Sequence, residues 1–178
     1  MATTAWQMVF DYGKVDRTKR VIVLGGGGNV GAYAVQFAGQ SGAEVITTAF
    51  SRDVDYVRAL HADQVIDVQA ADFEQEVQDI DVVIDTVGGE TLNRSFEVLK
   101  PGGILVSSVS PPDRDKASLY GVQGVFFLVK VTSGLAGLAA LFDSGRIRAN
   151  VGEVLPFAKA DSHTRCQPES LINRERSY

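Results

Sequence analysis

Arg20-Val-Ile-Val-Leu-Gly-Gly-Gly-Gly-Asn-Val-Gly31 runs straight into Ala32-Tyr-Ala-Val-Gln-Phe-Ala-Gly-Gln-Ser41, and together they read as a buried strand, a glycine turn and a helix. Within them Gly26, Gly28 and Gly31 satisfy G-x-G-x-x-G. In that pattern the first glycine makes a tight turn, the second leaves the backbone bare enough for a pyrophosphate, and the third lets helix pack close on strand. The helix N-terminus then turns free N–H groups and the positive end of its dipole toward the phosphates. Four consecutive glycines can meet the pattern by chance, and methyltransferases use similar turns. The strand before and the amphipathic helix after are what mark a nucleotide site rather than a structural loop.

A chain of 178 residues with 45% hydrophobic content can bury one good core, so one domain is expected over 1–160, with an irregular tail over 161–178. The net charge is −5 with Lys and Arg dispersed, which excludes a nucleic-acid footprint or a polybasic membrane patch. The single cysteine, Cys166, excludes an internal disulfide and a cysteine-built zinc site, and His61 and His163 are too few and too isolated for a metal centre. His61 reads as a helix C-terminal cap or a surface residue. Met1-Ala-Thr-Thr-Ala5 has neither a basic nor an apolar leader region, and no run reaches the roughly 18 apolar residues of a membrane span, so a cytoplasmic protein is expected.

Working outward, Thr4 is placed to cap a short helix carrying Trp6, Val9 and Phe10 on one side. After the first strand come a strand at Glu44–Ala49, a helix over 53–60, a short strand over 64–66 and a helix over 71–78. Asp81-Val-Val-Ile-Asp-Thr-Val87 has the continuous apolar run of a strand covered on both faces. A helix over 90–99 stops at Lys100-Pro-Gly-Gly103, a strand follows over 104–109, and Ser110-Pro-Pro112 is a loop. Beyond it lie an apolar strand over 122–131, an amphipathic helix over 133–144 and a short strand over 151–155.

Strands alternating with helices through short connections make a doubly wound α/β fold of Rossmann type, a mainly parallel sheet with helices on both faces. Ligands bind such sheets beyond the carboxyl ends of the strands, where strand order reverses. The residues of interest are therefore those ending each strand, around Gly26 to Val30, Ala49 to Arg52, Thr86 to Gly88 and Ser107 to Ser110.

Thr4-Ala-Trp-Gln7, the glycine turn with Asn29-Val-Gly31, Ala59-Leu-His-Ala-Asp-Gln-Val-Ile-Asp67, Asp85-Thr-Val-Gly-Gly89 and Leu99-Lys-Pro-Gly-Gly103 come in one order over about Thr3 to Lys159. That set resembles the cofactor domain of the medium-chain dehydrogenases/reductases, in their zinc-independent, quinone oxidoreductase-like branch. His61 departs from it, since the family usually has glycine there. The resemblance implies an NAD(P)-binding half, whereas the N-terminal GroES-like lobe that holds much of the family's substrate cleft has no counterpart in these residues.

The resemblance places the backbone N–H groups of Gly28, Asn29 and Val30 on the pyrophosphate; as an alternative, Asn29 is a plain turn residue. An NAD site has an acid at the end of its second strand for the ribose 2′-OH, and an NADP site has cationic or hydroxyl groups there instead. No acid occupies positions 47–51, so Ser51 and Arg52 are assigned to the 2′-phosphate of NADP(H). Asp53 just beyond could instead cap the next helix and pair with Arg52. The resemblance further puts Val87 under the nicotinamide, Ser107, Ser108 and Val109 along its ribose, and the backbone at Phe126, Phe127 and Leu128 near its carboxamide. Core packing is the competing reading of those last side chains. Asp85 reads as a buried structural carboxylate rather than a base.

No nucleophile–base or paired-carboxylate constellation emerges, so no catalytic residue is assigned and hydrolases are excluded. The expected function is the NADP(H)-binding domain of a quinone- or enal-reducing oxidoreductase that needs a complementary substrate lobe; a non-enzymatic NADP(H) sensor or scaffold is the alternative, and a methyltransferase a distant third. Family members commonly dimerise edge to edge in this domain, which points to self-association through the strand between Val125 and Val129. The tail from Asp161 loses both periodicity and resemblance just where the family continues with a helix and a closing strand. That change is what a reading-frame shift would leave, and little regular structure is expected there.

Overall fold

The computed structural model describes residues 1–129, 135–149 and 156. Among these residues six strands, β1 (Arg20–Leu24), β2 (Glu44–Ala49), β3 (Gln64–Asp67), β4 (Ile80–Asp85), β5 (Leu99–Ser107) and β6 (Gln123–Phe126), form one sheet in the order β3-β2-β1-β4-β5-β6. Every neighbouring pair is parallel. This is the doubly wound order, and the chain reverses direction across the sheet between β1 and β4.

The apolar runs are continuous because both faces of the sheet are covered. Val21 and Val23 of β1 enter one core with Val45, Val82, Ile84 and Val106, whereas Ile22 and Leu24 enter the other with Ile46, Val83 and Leu105. The first core is closed by α1 (Ala2–Trp6) with its π-helical continuation Gln7–Tyr12, by α2 (Gly31–Gln40) and by α7 (Leu135–Asp143). Trp6 packs at a tilt against Phe10 at 4.5 Å and edge to face with Phe37 of α2 at 5.3 Å, so the N-terminal segment is held by aromatic contact. The second core is closed by α4 (Phe73–Glu76), α5 (Gly89–Arg94) and α6 (Arg114–Tyr120) through Phe73, Leu92 and Ala117, with Phe96 from the 3₁₀ turn after α5. A short α3 (Val54–Arg58) follows a 3₁₀ turn at Ser51–Asp53. Asp63 precedes β3, and its carboxylate accepts from the Val45 N–H at 2.7 Å, which fixes the start of β2 against β3.

Several expectations are corrected. Thr4 caps nothing: α1 begins at Ala2, and the Met1 carbonyl accepts from the Ala5 N–H, which leaves Thr4 inside the first turn. The helix expected over 71–78 is a single turn, and that expected over 90–99 changes to a 3₁₀ turn at Ser95–Val98. Leu99-Lys-Pro-Gly-Gly103 belongs to β5, across an irregularity where pairing shifts from Ile80↔Leu99 to Val82↔Ile104. The helix α6 was not expected. Asp113 caps it by accepting from the Asp115 and Lys116 N–H groups, and Gly121 closes it at φ +64°. Strand β6 ends at Phe126.

Met1–Ile147 forms one compact unit; the second, Arg148–Tyr178, is described only at Arg148, Ala149 and Pro156. The boundary expected at residue 160, the strand over 151–155, the tail, Cys166 and His163 lie outside the described residues.

Candidate functional site

The glycine turn after β1 sits at the switch point, against the loop after β4. Gly25, not Gly26, takes the left-handed conformation at φ +85°, and a Cβ there would meet Thr86 Oγ1 and Val87 Cγ2 at 2.9 Å. Gly26 is needed for a different reason: its Cβ would lie 2.2 Å from Thr47 Oγ1. Gly31 is the close-packing glycine, with its Cβ position 2.0 Å from the Gly25 carbonyl oxygen. Gly28 and Asn29 are exposed at the tip, and the only atom near a Gly28 Cβ is the Gly25 oxygen at 3.3 Å.

Strand β2 stitches this turn in place. Thr48 Oγ1 accepts from the Gly25 N–H at 2.9 Å, its carbonyl accepts from the Gly26 N–H at 2.8 Å, and Thr47 Oγ1 donates to the Val23 carbonyl at 2.8 Å. These threonines were not singled out in the sequence. The Gly28 N–H donates within the turn to the Gly25 carbonyl at 3.0 Å. Among the described residues no hydrogen bond uses the Asn29 or Val30 N–H, so these two amides at the head of α2 are open to an anion.

Beyond β2, Ser51 and Arg52 are exposed, as a ligand-contacting pair must be. Both are already engaged with acids. Ser51 Oγ donates to Asp67 Oδ2 at 2.6 Å, and Arg52 Nε pairs with Asp53 Oδ2 at 3.4 Å while its guanidinium lies over the Phe50 ring. Asp53 makes no side-chain cap on α3; its Oδ2 lies 3.1 Å from the Cβ position of Gly27. The Asp53 pairing with Arg52 is therefore present and the cap is not.

At the ends of β4 and β5, Asp85 is fully buried. Its Oδ1 accepts from the Val87 and Gly88 N–H groups at 3.0 and 2.9 Å, and its Oδ2 from Ser107 Oγ at 2.6 Å. Ser107 is also fully buried, with its hydroxyl turned to Asp85. Ser108 is partly exposed and Val109 is 49% exposed, so these two and the partly exposed Val87 are accessible at the carboxyl ends of β4 and β5. Phe127 is buried, rests on Tyr12 at 4.9 Å, and gives its N–H to the Ser107 carbonyl, whereas Phe126 is exposed on the outermost strand. Core packing thus accounts for the Phe127 side chain.

Among the described residues no three His, Cys, Asp or Glu are grouped to hold a metal ion, and no helix is long and apolar enough to cross a membrane.

The model of a zinc-binding dehydrogenase family matches residues 60–165, and that of the alanine dehydrogenase/PNT C-terminal domain matches residues 3–91. The chain is 28% identical over 191 residues to NAD(P)H oxidoreductase RTN4IP1, mitochondrial, of Danio rerio, covering 89% of this chain and 49% of that protein. It is 32% identical over 160 residues to the spectinabilin polyketide synthase system protein NorB of Streptomyces orinoci, covering 82% of this chain and 7% of that protein. Among solved structures, the quinone oxidoreductase from Coxiella burnetii superposes with a TM-score of 0.83 at 26% identity, covering 98% of this chain and 55% of that one. The described residues hold no donor set for a zinc ion, despite the name of the matching family. The chain belongs to the zinc-binding dehydrogenase family, is of the quinone oxidoreductase-like medium-chain dehydrogenase/reductase type, and covers its C-terminal cofactor-binding part.

Proposed function

We propose that this chain holds NADP(H) for hydride transfer in a zinc-independent quinone or enal oxidoreductase. The observation that carries the cofactor reading is the glycine turn at the switch point. Pinned by Thr48, it carries the Asn29 and Val30 amides, which no hydrogen bond among the described residues uses, and at Gly25 it meets Thr86 and Val87 of the loop after β4. The names of the relatives, NAD(P)H and quinone oxidoreductases, support the reaction class. Bound there, the cofactor would supply the hydride; the chain would bind its phosphates at Asn29, Val30 and the head of α2, with Gly26 and Gly31 shaping the turn, and flank the nicotinamide with Val87, Ser108 and Val109.

The preference for NADP(H) over NAD(H) rests on the absence of an acid at positions 47–51 and on Ser51 with Arg52 beyond. A second reading, NAD(H), is favoured by one arrangement: Ser51 gives its only proton to Asp67, and Asp53 neutralises Arg52. Dissociation constants for NADPH and NADH at fixed salt separate the two. NADPH should bind about tenfold to a hundredfold more tightly, with that margin lost in Arg52→Ala. Equal affinities, or an Arg52→Ala variant that keeps the margin, would overturn the NADP(H) assignment.

The chain spans about half the length of the RTN4IP1 relative it matches. For the 178-residue chain by itself the proposal is cofactor binding without quinone turnover, because positioning and water exclusion by a substrate lobe supply much of the rate. We also propose that a second copy pairs at β6, whose outer edge has no partner strand among the described residues. Placement in the cytoplasm remains part of the proposal, set against relatives named as mitochondrial.

A further inference from the structure

We propose that Asp85 and Ser107 are positioning residues for the nicotinamide end of the cofactor, acting as one buried clamp between the β4 and β5 loops. The inference rests on the cofactor reading above. One carboxylate and one hydroxyl gather four loop amides. Asp85 takes the Val87 and Gly88 N–H groups and the Ser107 hydroxyl proton, and Ser107 Oγ in turn accepts from the Val109 and Ser110 N–H groups at 3.2 and 3.3 Å. The main chain adds the Ser108 N–H to the Asp85 carbonyl at 3.3 Å.

The loops so joined are in contact. Gly88 stands at φ +77° and ψ −162°, a conformation open to glycine, and its Cβ position lies 2.6 Å from Val109 Cγ1. Neither clamp side chain reaches the surface, so neither touches a ligand. What they set is where Val87 and Val109 stand, the apolar pair that the reading above places beside the nicotinamide.

The direction of the hydroxyl proton is the weak point of the device. In Asp85→Asn the amide oxygen can still accept from Val87 and Gly88, but the NH₂ group would then face Ser107 with a donor. The Ser107 oxygen is already occupied by two N–H groups, and its own proton would have no acceptor. Asp85→Asn therefore opens the clamp at the Ser107 joint at constant side-chain size, and Ser107→Ala opens it by deletion.

The test titrates the full chain with NADPH and with 2′-phosphoadenosine 5′-diphosphoribose, which lacks the nicotinamide, in parallel with NADH and ADP-ribose. Amide hydrogen exchange is followed in the same variants. The clamp predicts that both variants weaken the dinucleotide about tenfold, leave the nicotinamide-free partner within about twofold, and speed exchange at the Val109 and Ser110 amides while β1 stays protected. Should Asp85→Asn fail to fold, Ser107→Ala decides. Equal weakening of both ligands, or of neither, overturns the clamp and leaves the cofactor reading standing. A parent chain that binds none of the four ligands overturns both.

Discussion

A Cβ on Gly31 would lie 2.0 Å from the carbonyl oxygen of Gly25 and 2.7 Å from its carbonyl carbon, so the first residue of α2 rests directly on the turn that ends β1. Backbone cannot yield as a flexible side chain does. Gly31→Ala should therefore cost about 3 kcal/mol or more, whereas Gly28→Ala, exposed and 3.3 Å from its nearest neighbour, should cost less than about 1 kcal/mol. Urea unfolding of the two variants checks the contrast, and similar losses at both positions would contradict it.

The acids around Arg52 and Ser51 give a second expectation. Asp53 and Asp67 hold the two groups assigned to the 2′-phosphate and add like charge beside it. Asp53→Asn and Asp67→Asn should each tighten NADPH by about twofold to fivefold, the scale of an exposed and salt-screened pair, with little change for NADH. If Asp53→Asn weakens NADH instead, Asp53 is serving the ribose hydroxyls and the NAD(H) reading gains.

Asp81 lies at the opposite end of the sheet, where its carboxylate accepts from the Arg20 N–H at 2.9 Å and stands 2.5 Å from Lys100 Nζ and 3.8 Å from Lys19 Nζ. Burial pushes this carboxyl up, but the Lys100 and Arg20 hydrogen bonds with the charges of Lys100 and Lys19 outweigh it and hold it below the usual carboxylate value. A depressed folded value means the contribution is present above the unfolded value of about 4 and is lost as pH falls through the folded one. Asp81→Asn should lower stability near pH 7 by about 1 to 3 kcal/mol and flatten the acid limb below about pH 4. Thermal unfolding between about pH 2 and pH 7 shows it; parallel curves for parent and variant would refute the assignment.

On β6 the side chain of Phe126 is 40% exposed, and Leu128 and Val129 just after it are 71% and 54% exposed. An edge without a partner strand among the described residues, with apolar residues beside it, favours strand addition by a second copy. Sedimentation at tens of micromolar should show a dimer that Leu128→Glu dissociates, and a monomer throughout that range would end the proposal.

The strands were legible because a sheet covered on both faces needs continuous apolar runs, and those runs stand out in Val21–Leu24 and Val82–Ile84. The glycine turn was legible as a turn but not in register. Four glycines carry no side chain to say which of them takes positive φ, and only the packing of Thr86 and Val87 selects Gly25. The helix α6 hid behind Pro111 and Pro112, although Asp113 and Gly121 mark its two ends. Ser107 could be placed at a strand end, but its partner Asp85 is 22 residues away, and no local pattern reports a contact between neighbouring strands.

His61 occupies φ +70° at the end of the α3 turn, where its N–H reaches the Arg58 carbonyl at 3.4 Å. The sequence expectation of a helix-terminal surface residue thus meets a left-handed position of the kind that closes helices with glycine, the residue the family usually has there. A side chain in that conformation costs about 1 to 2 kcal/mol, partly offset in a glycine variant by the greater freedom of the unfolded chain. His61→Gly should therefore stabilise the fold by about 0.5 to 1 kcal/mol and raise the midpoint of thermal unfolding by about 1 to 4 °C. His61→Ala keeps the Cβ and should gain nothing, which separates backbone strain from any effect of losing the imidazole. Cofactor affinity should be unchanged in both variants, because His61 sits in the β2–β3 crossover facing Gly39, away from the glycine turn. A fall in stability for His61→Gly, or an equal gain for His61→Ala, would show that the strain does not reside in the backbone.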